Sequence, residues 1–189
     1  MKKFLRCYPF SDPGVRLVEG FSTYDGNLGD TPGSSHKGID YVLRKGGRFA
    51  GFDVFAMHDG DAYQGISKSW GKFVALRVVA GRTVFTTVYA HLRLVAPHIP
   101  LRRDKTNGLT AVVQAGDLLG RAGTTGTTRR IVQLHLELHE TDTKNDWKKI
   151  DPYGVNDRQS SGKYPQPGAL LAGLPHFWIS DDPPLAQGR

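Results

Sequence analysis

The chain has 189 residues, enough for one domain with a proper core and too few for two large ones. Its 23 glycines and 11 prolines imply many turns and short strands, and its formal charge of +7 favours anionic partners without choosing among nucleic acid, an acidic membrane surface and an anionic cell-wall polymer. Cys7 is the only cysteine, which excludes an internal disulfide and a cysteine-based zinc cluster; no segment approaches a membrane span.

Residues 1–35 are turn-rich ("SDPGV", "DGNLGDTPGSS") and read as an irregular lead-in. The opening "MKKFLRCYPFSDPG" is basic but has no apolar run long enough for a secretory signal, and Cys7 within it is expected as a small buried or half-buried side chain. "SSHKGIDYV" (34–42) passes from a loop into a strand-like run. "DVFAM" (53–57) meets a His-Asp-Gly turn, and "DAYQGI" (61–66) follows it. "FVALRVV" (73–79) and "TVFTTVYAHL" (83–92) flank the Ala-Gly turn at 80–81, which suits a hairpin. "APHIPLRRDKTNGLT" (96–110) reads as an inserted surface loop, kept out of a sheet by Pro97, Pro100 and the charges at 102–105. "DLLGRAG" (117–123) and the run at 131–139 complete the strands, and helix signals are weak throughout. From about residue 152 a Pro-, Gly- and Ser-rich tail is expected to wrap on the surface, pinned by Phe177, Trp178 and Ile179. The expected fold class is therefore mostly β, an antiparallel sheet or barrel-like domain with few helices.

The last run, "IVQLHLELHE" (131–140), alternates strictly. Val132, Leu134, Leu136 and Leu138 take one face; Gln133, His135, Glu137 and His139 take the other. By itself this fits a solvated outer face as well as a groove lined by polar groups. His36 and Asp40 stand four apart before another strand, and a neutral imidazole with a carboxylate suits Zn²⁺. A lone His-x-x-x-Asp is weak, since Asp before a strand is commonly a turn former. "VYAHL" (88–92) adds Tyr89 and His91 on one face of a third strand.

Taken together, "HKGIDY", "YAHL", "AGDLLGRAGTTG" and "QLHLEL", in this order, resemble the M23 (LytM/lysostaphin-type) metallopeptidases, zinc endopeptidases that cut bacterial peptidoglycan peptides. The likeness runs from about His36 to Asp151, and "DPYG" (151–154) resembles a common ending of the domain. It implies a LytM-type β domain with an open groove over residues 31–155, between a lead-in at 1–30 and a tail at 156–189. It further implies that His36, Asp40 and His135 are the ligands of a Zn²⁺ cofactor and that His91 is a catalytic histidine. The family usually writes its last motif His-x-His; Gln133 stands at the first of those positions, that of a second catalytic imidazole. His139 lies outside the pattern, about 13 Å beyond His135 at roughly 3.3 Å per residue, and is expected at the rim.

The chemistry follows from the residue types. A cation held by two imidazoles and a carboxylate is a Lewis acid that activates water at neutral pH. His91 can orient water, stabilise charge or act as general acid-base. Gln133 can donate a hydrogen bond but cannot take up or release a proton. With the ligands and His91 intact, the expectation is a working zinc endopeptidase acting as a monomer on peptidoglycan peptide, with the cell envelope or exterior as its location. The alternative is a non-catalytic module that binds cell wall or regulates an amidase, which Gln133 motivates. A nucleic-acid-binding barrel rests only on charge and scattered aromatics, and no nucleic-acid partner is expected. "GTTGTT" (123–128) lacks the Gly-Lys-Ser/Thr ending of a phosphate loop. Glu137 reads equally as a hydrogen-bond partner behind His135 or as a solvated carboxylate, and Trp70 beside Lys68, Lys72 and Phe73 reads as packing at a groove edge.

Overall fold

A computed structural model of the chain describes residues 2–21, 36–102, 108–127, 131–141, 147–155 and 164–188. Among these residues there is no helix, so none that is long and apolar enough to cross a membrane. The strands, in chain order, are β1 (Val15–Glu19), β2 (Ile39–Lys45), β3 (Arg48–Ala50), β4 (Asp53–Phe55), β5 (Gly60–Ser67), β6 (Gly71–Ala80), β7 (Thr83–Ala90), β8 (Leu92–Val95), β9 (Ala111–Val113), β10 (Leu118–Ala122), β11 (Leu134–Thr141) and β12 (Trp147–Ile150).

The large sheet runs β1-β2-β11-β7-β6-β5-β9, with β3 added beside β2 and β12 beside β11; a small sheet runs β4-β10-β8. Every strand pair is antiparallel, and β1 and β9 end the path without meeting, so the sheet stays open rather than closing into a barrel. The Ala-Gly turn is a hairpin as expected: β6 and β7 pair down to Ala80 opposite Thr83, and Gly81 supplies the left-handed φ of 71° that the tight reversal needs.

The apolar side of β11, Leu134, Leu136 and Leu138, lies in the main core with Tyr41, Tyr89 and Leu76. The first ten residues belong to the same core. Leu5, Tyr8 and Phe10 are buried, the Phe4 and Leu5 amides donate to the Phe177 carbonyl, and Leu5 bridges Trp178 in parallel. Tyr8 and Tyr153 pack on the Trp178 indole with ring centroids 5.6 and 4.7 Å away. Two expectations change here. The lead-in carries β1, which pairs with β2, and Ile179 is exposed, so the pins of the tail are Phe177 and Trp178. Cys7 is buried as expected; its Sγ donates to the Ala56 carbonyl, and burial pushes the thiol up to about 11.

The loop after β8 is tied to β5: the Gln64 amide donates to the Pro100 carbonyl, and the Arg102 amide donates to the Gln64 carbonyl. Arg102 also stacks on Tyr63, 5.0 Å from the ring centroid. Arg103, Asp104 and Lys105 of the basic cluster lie outside the described residues.

Candidate metal centre

Strand register assembles the site. In β11 His135 stands opposite Asp40 of β2 on one side and Ala90 of β7 on the other, and Glu19 of β1 stands opposite Asp40. His91 immediately follows Ala90, so one row across the sheet carries the carboxylates, one imidazole and the approach of a second. His36 reaches the same place from the segment before β2. Gly38 makes that approach possible: a Cβ there would stand 2.5 Å from the Leu136 carbonyl oxygen and 2.7 Å from His135 Cε1.

The donor atoms of His36, Asp40 and His135 lie within 4.8 Å of one another. His135 Nδ1 is 2.7 Å from Asp40 Oδ1, and His36 Nε2 is 3.1 Å from His135 Nδ1 and 3.4 Å from Asp40 Oδ1. Their partners elsewhere decide which nitrogen carries hydrogen. His36 Nδ1 donates to the Gly20 carbonyl at 2.9 Å, leaving Nε2 with a lone pair. His135 Nε2 faces Glu137 Oε1 at 3.1 Å, a carboxylate that can only accept, so its Nδ1 is the remaining acceptor.

Three acceptor atoms thus face one point, and each of the two imidazoles is backed by a group that holds it there. This donor set fits a first-row divalent cation such as Zn²⁺, and a His-Asp-His group able to hold a metal is present. In the metal-free chain a proton serves instead. Burial alone would pull His135 down, but Asp40 and Glu137 on either side outweigh it and hold the imidazole up at about 9. Burial likewise works against the Asp40 carboxylate, yet His36 and His135 hold it well below the usual carboxylate range.

His91 sits between β7 and β8 with φ of 62°, the left-handed region that a non-glycine residue adopts rarely and at a cost. Its amide donates to the Trp70 carbonyl, and its Nδ1 donates to the Thr125 carbonyl at 2.8 Å, so Nε2 is left as an acceptor. The ring lies beside His135, centroids 5.6 Å apart. Burial and then the neighbouring His135 lower its pKa, which favours the neutral imidazole. The "GTTG" segment, set aside as a phosphate loop, therefore has another use. Thr125 holds His91 by its carbonyl, and Gly126 and Gly71 pack so closely that a Cβ on Gly126 would stand 2.1 Å from the Gly71 amide nitrogen.

Gln133 is buried just ahead of β11, its amide donating to the Gly123 carbonyl at 3.0 Å. Its side-chain Oε1 accepts no hydrogen bond among the described residues.

The polar face of β11 is covered, which corrects the expected rim position of His139 and selects the hydrogen-bond partner from the two readings of Glu137. His139 is 2% exposed rather than at a rim, and Glu137, also 2% exposed, is no solvated carboxylate. Glu137 Oε1 accepts from His135, from Trp70 Nε1 at 3.1 Å and from Lys149 Nζ at 2.8 Å, while Oε2 accepts from His139 Nε2. Trp70 packs against Phe73 and His139 as well as donating this bond. Burial would raise the Glu137 pKa, but its histidine and lysine partners hold it well below the carboxylate range.

No known protein-family profile matches the chain, and no curated protein does. Among solved structures, LytU is similar: the TM-score is 0.54 and the identity 22%, over 76% of this chain and 87% of that one. The likeness shows the fold, which is LytM-like.

Proposed function

We propose that the chain is a zinc-dependent endopeptidase that hydrolyses peptide bonds in bacterial peptidoglycan. The observation that carries this reading is the convergence of His36 Nε2, Asp40 Oδ1 and His135 Nδ1 as three acceptors, with the His91 imidazole alongside. The LytM-like fold and the ordered motifs "HKGIDY", "YAHL" and "QLHLEL" support the choice of substrate.

His36, Asp40 and His135 hold the ion, which when bound supplies Lewis-acid polarisation of the scissile carbonyl and activation of water. His91 acts as the general base and acid. Its Nδ1–H is committed to the Thr125 carbonyl, so Nε2 takes the proton from water and returns it to the departing amine. Gln133 contributes an amide donor to the charge that develops on the carbonyl oxygen and takes no part in proton transfer. His91 holds a positive φ, and its ring stands beside that of His135.

The test is digestion of purified sacculi with zinc-loaded protein, followed by mass spectrometry of the released fragments. The proposal expects peptide-bond cleavage that a chelator stops and zinc restores. Gln133 favours a second reading, a wall-binding or amidase-regulating module. Metal-loaded protein that sediments with sacculi yet releases no fragments would establish that reading instead.

A further inference from the structure

The metal reading assigns His36, Asp40 and His135 but leaves the buried cluster behind His135 without a role. We infer that Glu137 is a positioning residue for the metal centre, locking the His135 ring with Nε2 protonated and Nδ1 open towards the ion. The inference rests on the metal reading proposed above.

Glu137 and His135 are two residues apart on one face of β11, which brings the carboxylate to the far edge of the imidazole. His135 is thereby gripped at both nitrogens, by Asp40 at Nδ1 and by Glu137 at Nε2. The carboxylate itself cannot turn away. Oε1 also accepts from Trp70 in the β5–β6 turn and Lys149 of β12, and Oε2 accepts from His139 of β11, so both oxygens are held. Lys149 reaches it because β12 sets Lys149 opposite His139. These four donors make the buried carboxylate tolerable in its own right, so it stays in place whether or not an ion is bound.

An imidazole that ligates a metal generally donates its other N–H to a carboxylate or carbonyl, which fixes the tautomer and strengthens the donor nitrogen. His36 has the Gly20 carbonyl for this purpose, and His135 has the stronger acceptor. Glu137 lies outside the His36-Asp40-His135 group and acts through His135.

Imidazole NMR and zinc affinity decide the matter. In zinc-loaded wild-type protein, imidazole ¹⁵N NMR should place the His135 proton on Nε2 and the ion on Nδ1; the opposite assignment overturns the inference without any variant. In chelator competition, Glu137→Gln should weaken zinc binding about 10- to 100-fold. The visible band of the cobalt-substituted protein should shift with it. Lys149→Met, which removes one donor to Glu137 but leaves the His135 bond, should lower the metal-free unfolding midpoint and weaken zinc binding less than Glu137→Gln does. Wild-type zinc affinity in Glu137→Gln overturns the inference and spares the metal reading. Failure of the wild-type chain to take up zinc overturns both.

Discussion

His135 Nδ1 lies 2.7 Å from Asp40 Oδ1, across a strand pair whose register sets the two residues side by side. In the metal-free chain this contact is a charged hydrogen bond, because His135 is held up at about 9. The unfolded value is about 6.5, so the bond's contribution to stability is complete below that pH and is lost as pH rises through about 9. The unfolding midpoint of the metal-free protein should therefore fall between these limits. His58, which burial lowers to about 4, changes its contribution below the window and does not oppose the trend within it. Zinc must displace the His135 proton, so its affinity should rise by up to about tenfold per pH unit across the same range. Calorimetry with and without zinc from pH 6 to 9 checks both. A metal-free midpoint that climbs over this window contradicts the assignment.

His91 is separable from metal binding, since it lies outside the His36-Asp40-His135 group and its Nδ1 is held by the Thr125 carbonyl. His91→Ala should keep zinc near the wild-type level and lose on the order of 10²–10⁴-fold in kcat, the usual contribution of a general acid-base group. Zinc analysis and peptide-release kinetics on one preparation give both numbers. Undiminished turnover would remove His91 from the mechanism.

Gln133 distinguishes two roles for its position. If the amide only donates to the developing oxyanion, Gln133→Ala should cost about 10²–10³-fold in kcat. Gln133→His should equal or exceed the wild-type rate, because an imidazole can donate there as well. An alanine variant as fast as the parent would show that the side chain is a bystander.

Gly38 is a test of packing. Its alanine variant would press a methyl against the Leu136 carbonyl and the His135 ring, both of which belong to β11 and have little room to yield. We expect about 1–3 kcal/mol of destabilisation in denaturant titration, together with weaker zinc binding as His36 or His135 is displaced. Unchanged affinity would mean that the loop before β2 can move without disturbing the ligands.

Alternation and turn residues made β5, β6, β7 and the apolar side of β11 legible from sequence, because each half-buried strand writes its own period. β1 was hidden among the turn residues of the lead-in, and β3 and β9 are three residues long, too short to show a period. The burial of His139 was not legible because the cover of this face, Trp70 from the β5–β6 turn and Lys149 from β12, comes from distant parts of the chain that no local pattern announces. The site divides the same way. His36, Asp40, His91 and His135 are visible as residue types with a chemistry, and the structure brings them together. The groups that select their tautomers, the carbonyls of Gly20 and Thr125, are backbone atoms and leave no mark on composition.

The central claim is that His36, Asp40 and His135 together hold one divalent cation. Elemental analysis of protein dialysed against zinc and then gel-filtered tests it most directly. The account predicts about one zinc per chain in the wild type and essentially none in His36→Ala or Asp40→Asn, each still folded by circular dichroism. Wild-type protein that emerges without zinc, or a His36→Ala variant that retains the full amount, would contradict it.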